Sequence, residues 1–284
     1  NDDYRLNIKR ASSPIIIDGV MDEQAWADAD VAKDFYMILP IDTSYAEVKT
    51  EVMMTYDDDK IYLLVINHHG EEGPYYVESL RRDFTFGKND NFLLFMDTFD
   101  DQTNGFSFGA NAAGAQWDGI MYGGGSVDLS WDNKWFSKVQ NYPDKWVFEA
   151  AIPFKSIRYK KGIKEWGINF SRKDLKSTEK SSWAPVPRQF PSASLAYTGI
   201  LVWDEAPPEP GMNVSVIPYV MGGMVKDNVR ELPSDYQNRV GVDAKIAVSS
   251  SLNLDLTVNP DFSQVEVDRQ ITNLDRFELF YPER

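Results

Sequence analysis

The sequence contains no cysteine. Disulfides, thiolate metal sites and a cysteine nucleophile are therefore excluded. A secreted chain of 284 residues does not need disulfides, so the compartment stays open. Histidine is scarce, with only His68 and His69. Neighbours in a strand point to opposite faces, so the two are poorly placed to share a metal. Basic residues are in deficit: 29 Lys and Arg stand against 44 Asp and Glu, a formal net charge of −15. Nucleic acid and anionic membrane surfaces both call for the opposite balance. No apolar run approaches the roughly 20 residues of a membrane helix. Gly105-Phe106-Ser107-Phe108-Gly109 has the Gly-x-Ser-x-Gly spacing but sits inside an alternating strand pattern rather than a strand-to-helix elbow, and there is no His-Glu-x-x-His and no phosphate loop. Among 44 acidic residues, no carboxylate pair marks itself as a glycosidase centre.

Aromatic residues are plentiful, with 8 Trp, 14 Tyr and 16 Phe. That supplies a large core and leaves flat rings for binding faces. Short apolar runs of period two alternate with Asp, Asn, Gly and Pro, which predicts strands and turns. Strands are expected at 15–17, 48–56, 60–67, 91–95, 105–111, 135–139, 146–152, 166–172 and 199–203. Asp18-Gly19 and Tyr142-Pro143-Asp144 read as turns. A helix is expected over 21–29, with Asp22 and Glu23 in its first turn and Trp26 facing the core. Trp146 and Trp166 are also assigned to the core. The pattern predicts an all-β fold, a β-sandwich over residues 1–205.

A Pro-rich linker is expected at 206–212, where Pro207, Pro208 and Pro210 cluster. Residues 213–284 then alternate over long stretches at 213–221, 239–248 and 252–258. One face is apolar and the other polar. That is the signature of β-hairpin strands, either packed on the sandwich or opening a membrane β-barrel.

The run from Pro14 through Ile15-Ile16-Ile17-Asp18-Gly19 to Asp22-Glu23 and Trp26 resembles the opening of family 9 carbohydrate-binding modules. Thr50-Glu51-Val52 with Tyr56-Asp57-Asp58, Asp90 with Phe95-Met96-Asp97, Trp146 to Pro153, and Trp166 to Phe170 are similar to later strands of that family. The tail, Asn259-Pro260-Asp261-Phe262 and Phe280-Tyr281-Pro282-Glu283-Arg284, resembles a bacterial envelope family in which such a module precedes an outer-membrane β-barrel. The resemblance implies a jelly-roll-type sandwich, a non-catalytic carbohydrate-binding role in a larger cell-envelope protein, and a link to polysaccharide breakdown or uptake. It also implies periplasmic or outer-membrane placement, a barrel in the same full-length chain, and a structural Ca²⁺. Two Trp rings clamp the sugar in that family. Here the matching places hold Gly87, with Phe86 beside it, and Phe190.

Sugar binding needs flat rings for C–H faces and fixed polar groups for hydroxyls. Phe86, Trp117 and Phe190, with Arg81, Arg82 and Asp118, could supply both to an oligosaccharide or polysaccharide. Trp117 could equally cap the core edge. Arg81-Arg82-Asp83 could bind a ligand through bidentate contacts or form an internal salt bridge. Asp97, Asp100, Asp101 and Asn104 form an oxygen-rich turn, a candidate Ca²⁺ site. Asp57-Asp58-Asp59 is a second acidic run that a hairpin turn explains. The alternatives to sugar binding are a structural domain attached to an outer-membrane barrel, and a haem sandwich with axial ligands from His68, His69 or methionine.

Overall fold

The computed structural model describes residues 3–70, 73–208, 214–225, 235–247 and 253–259. The chain divides into two compact units, Asn1–Gly211 and Met212–Arg284. In the first, the described residues form one short α-helix, α1 (Gln24–Ala27), three single 3₁₀ turns and fourteen strands. In chain order these are β1 (Arg5–Arg10), β2 (Val31–Ala32), β3 (Tyr36–Leu39), β4 (Thr50–Tyr56), β5 (Lys60–His68), β6 (Asn91–Asp97), β7 (Gly105–Asn111), β8 (Gln116–Tyr122), β9 (Ser126–Asp128), β10 (Phe136–Asn141), β11 (Lys145–Pro153), β12 (Glu165–Asp174), β13 (Glu179–Ser182) and β14 (Gly199–Trp203).

Two layers result. One runs β10–β11–β5–β4, with β2 on β4. The other runs β14–β12–β6–β7–β8–β9, with β13 and β3 continuing from β12. Strand β1 joins them. Arg5 to Ile8 pair in parallel with β14, and Lys9 and Arg10 pair in parallel with β4. At the other edge β10 meets the β7–β8 turn through side chains. Gln116 Nε2 donates to Ser137 Oγ at 2.9 Å, and Asn141 Nδ2 donates to the Ala112 carbonyl at 3.1 Å. The fold is thus a curled all-β sandwich, as the period-two pattern requires.

Alternation sorts each strand between two environments. Phe92, Leu94 and Met96 of β6 face inward, as do Ile61, Leu63 and Val65 of β5 and Phe148, Ala150 and Ile152 of β11. Trp146, Trp166 and Trp203 are fully buried there. The Trp166 and Trp203 rings meet edge-on with centroids 4.8 Å apart, an arrangement aromatic quadrupoles favour.

Two expectations are corrected. Residues 15–17 form no strand. Ile15, Ile17 and Met21 instead lie as an extended strap on the outside of β5 and β11, packed with Met53, Tyr62, Leu64, Ile66 and Val147. The expected helix over 21–29 is one turn, Gln24–Ala27, whose Trp26 is pinned in that same cluster. The Asp18-Gly19 turn is present. Gly19 has φ +86°, and a Cβ there would lie 2.8 Å from Gln140 Cβ, so the position requires glycine.

In the second unit, β15 (Val214–Val225), β16 (Asp235–Ala247) and β17 (Asn253–Val258) form an antiparallel meander. Register places Val216, Val220 and Met224 beside Ala244, Val240 and Tyr236, and Leu256 and Val258 beside Ala244 and Val242. These side chains share one face, and Val216, Val220, Met224, Tyr236, Val240, Leu256 and Val258 are exposed.

Candidate functional site: the outer face of the β6–β12 layer

The two layers differ in how their outer faces are covered. The outside of β5 and β11 is closed by the strap. The outside of β6, β12 and β13 is covered only in part. Leu93 and Phe95 of β6 lie there with Phe84, Trp117, Met121, Ala193 and Leu195, and Phe86 packs against this cluster. Asn169 of β12 pins the 184–197 loop over it, donating from Nδ2 to the Ala184 and Tyr197 carbonyls at 3.1 and 3.2 Å.

At the β12–β13 end the same face carries Lys173 and Lys180, which are directly opposite across the antiparallel pair. Both are half-buried. Lys180 Nζ sits over the Phe86 ring, 5.5 Å from its centroid. Lys173 Nζ donates to the Thr178 carbonyl at 3.2 Å. Burial pushes both ammonium groups below the usual lysine range, and for Lys180 the neighbouring Lys173 charge adds to the fall. Phe86 is held in place because Asn91 Nδ2 donates to its carbonyl at 2.8 Å. Phe190, 38% exposed, packs on Tyr197 with centroids 5.0 Å apart. Phe86 and Phe190 therefore sit on loops over one layer, each with ring area accessible.

Of the other candidate ligands, Trp117, Asp118 and Arg82 are engaged internally. Trp117 is 6% exposed and offers no open face. Asp118 is fully buried and paired with Arg82. Arg82 also reaches Asp132 at 2.8 Å, Gln116 Oε1 at 3.1 Å and the Asn133 carbonyl at 2.9 Å. It is an internal clasp, tying the 130–134 loop to β8. Among the described residues, Asp83, Asp118 and Asp132 are the one carboxylate trio whose oxygens gather within 4.8 Å. The Arg82 guanidinium pairs with two of the three. Arg81 is exposed, and its backbone N–H donates to Ser79 Oγ.

The Asp97 turn is built by backbone donors. Buried Asp97 accepts N–H bonds from Phe99, Asp101 and Gln102. Asp101 accepts from Thr103 and Asn104, and Asp100 takes a left-handed φ of 55°. The oxygens of Asp97, Asp100 and Asp101 do not converge as a metal cluster does, and Asn104 spends its amide on Asp101. His68 contacts Glu51 at 3.1 Å, whereas His69 contacts the Tyr75 hydroxyl at 2.6 Å. The two imidazoles thus face different partners. Asp57 forms the hairpin turn, accepting N–H bonds from Asp59 and Lys60 at 2.8 Å each.

Three further features escape the sequence reading. Lys173 and Lys180 are one. Another is Arg172, buried on the inner side of β12, which donates to the Lys49 and His68 carbonyls, to Thr50 Oγ1 and to Asp174. The third is Glu149, buried beneath the strap, whose Oε2 accepts the Asp18 and Gly19 N–H groups at 3.0 and 2.7 Å. Burial pushes its carboxyl up to about 7. Beside the strap lies an open groove of about 490 Å³, lined among others by Ile15, Ile17, Tyr62, Trp135 and Phe136.

Solved structures share the sandwich. A family 9 carbohydrate-binding module from Caldicellulosiruptor kristjanssonii in complex with cellotriose aligns with TM-score 0.52 at 14% identity, covering 71% of this chain and 94% of that one. The module from the same organism in complex with glucose gives 0.51 at 14%, covering 70% and 96%. A candidate carbohydrate-binding protein from Bacteroides uniformis gives 0.56 at 13%, covering 70% and 99%. At such identities the likeness is one of fold. Residues 210–284 match a family described as Domain of unknown function (DUF5916). No curated protein sequence matches the chain.

Proposed function

We propose that the Asn1–Gly211 unit is a non-catalytic carbohydrate-binding module, with its site on the outer face of the β6–β12 layer. One observation carries this reading. Two loops carry accessible aromatic rings, Phe86 beside Lys180 of the β12–β13 pair and Phe190 on Tyr197, in a fold whose solved relatives include sugar complexes. Rings supply C–H contact, and the half-buried Lys173 and Lys180 side chains of β12 and β13 supply polar contacts to hydroxyls.

We further propose that the module belongs to a larger cell-envelope protein engaged in polysaccharide breakdown or uptake. The apolar face of β15–β17 supports this. Strands of 12 and 13 residues exposing Val216, Val220 and Val240 on one side, with Val258 of β17 beside them, suit lipid or a neighbouring barrel wall.

Isothermal titration of the purified chain against an oligosaccharide panel tests the first proposal. Binding of at least one oligosaccharide is expected. Phe86→Ala should weaken it about fivefold, as loss of roughly 1 kcal/mol of ring contact implies. No heat with any sugar, or an unchanged affinity in Phe86→Ala, would overturn the assignment of the site.

A further inference from the structure

We propose that this face takes an anionic sugar residue, one carrying a carboxylate or a sulfate, between Lys173 and Lys180. The inference rests on the carbohydrate reading above and narrows its ligand class.

Lys173 and Lys180 are paired Cα to Cα across an antiparallel ladder. Like charges directly opposite one another destabilise a sheet. Lysine is seldom buried without a carboxylate partner. This chain has 44 acidic residues available. Yet among the described residues neither ammonium forms an ion pair. Lys180 has only the Phe86 ring beneath it, and Lys173 has one carbonyl. The acids of this hairpin, Asp174 and Glu179, are the adjacent pair in the same ladder. Alternation turns them to the inner side, where Asp174 accepts from Arg172 and Glu179 accepts the Glu47 N–H. The hairpin therefore separates its charges, with carboxylates inward and two cations outward that no direct ion pair engages, Lys173 feeling Asp174, Asp90 and Glu179 only at a distance.

An anion between the cations would relieve their repulsion and add charge-assisted hydrogen bonds. Phe86 sharpens the point. One face of its ring is taken by the Lys180 ammonium, so a sugar approaching that face meets the charge first. A purely neutral sugar has no use for it. Cellotriose and glucose, held by the solved relatives, are neutral. This face differs in chemistry from what those ligands need.

The test is isothermal titration of the full chain at low and at moderate salt. The probes are cello-oligosaccharide, oligogalacturonate and a sulfated carrageenan oligosaccharide. The proteins are the wild type, Lys180→Met and Lys180→Arg. At least one anionic probe should bind about tenfold or more tightly than the neutral one. That preference should shrink with salt. It should be lost in Lys180→Met and kept in Lys180→Arg. Whichever anionic probe binds distinguishes carboxylate from sulfate. Lys180→Met should melt no lower than the wild type, since it removes a like charge. Equal affinity for neutral and anionic probes, unchanged in Lys180→Met, would overturn the inference and leave the carbohydrate reading standing. Binding of none of the probes, with no other sugar of the wider panel bound, would overturn both.

Discussion

The two outer faces of the sandwich solve the same problem in opposite ways. The face of β5 and β11 is sealed. A strap carrying Ile15, Ile17, Met21 and Trp26 covers it, and its one buried carboxylate, Glu149, is turned to holding the strap's turn. The face of β6 and β12 is closed at one end by Trp117, Phe84 and Leu195, but its β13 end keeps two lysines without acidic partners and a ring between loop and solvent. A face covered by its own strap is a structural surface, even though Glu149 Oε1 and Trp26 Nε1 find no hydrogen-bond partner beneath it. Uncompensated charge beside accessible rings marks a surface that still has a partner to meet.

The largest effect should come from the clasp that closes the second face. Arg82→Met leaves Asp118 buried and unpaired. It should lower unfolding free energy by about 3 kcal/mol in a denaturant titration. A loss near zero would show that the 130–134 loop does not depend on the pair.

Glu149 comes next. Its carboxyl titrates near 7 in the folded protein and near 4.5 when unfolded. Between these values the folded state holds a proton that the unfolded state has released, so stability falls as pH rises from about 4.5 to about 7. The fall is at most about 3 kcal/mol, from 1.36 kcal/mol per unit. Glu149→Gln should remove that part of the slope when melting is followed from pH 5 to pH 8. An identical slope in the variant would break the account of the sealed face.

Gly19→Ala probes the same clasp from the strap. It forces a side chain onto φ +86° and against Gln140, at a cost of about 1–2 kcal/mol. Smallest in stability is Phe86→Ala, expected within about 1 kcal/mol because the ring is only half-buried, while its effect falls on sugar affinity. If Phe86→Ala destabilised the fold more than Gly19→Ala, the contrast between the faces would be lost.

Much of the fold was legible because inward and outward residues alternate. The expected 105–111 and 199–203 strands match β7 and β14 to the residue. Strand β1 was missed because Leu6 and Ile8 are the only apolar residues among charged and polar ones in RLNIKR. The strap at 15–17 was read as a strand because an apolar segment laid on a sheet carries the same signature as one within it. Phe86 and Phe190 were put forward from the residues and from resemblance together. Trp117 was offered both as a binding ring and as a cap on the core edge, and it lies at the start of β8, nearly buried on the side that Phe84 covers. The lysine pair was hidden because Lys173 and Lys180 face each other only once the hairpin around 175–178 is known. A symmetric reading of Lys173-Asp174 against Glu179-Lys180 was the available signal.

Hydrogen exchange with mass spectrometry, run with and without a saturating oligosaccharide, tests the central claim most directly. Protection concentrated in residues 84–91 and 171–182, with 13–20 and 135–140 unchanged, is the predicted result. Protection in 13–20 and 135–140 instead would place the ligand in the groove beside the strap and contradict the account.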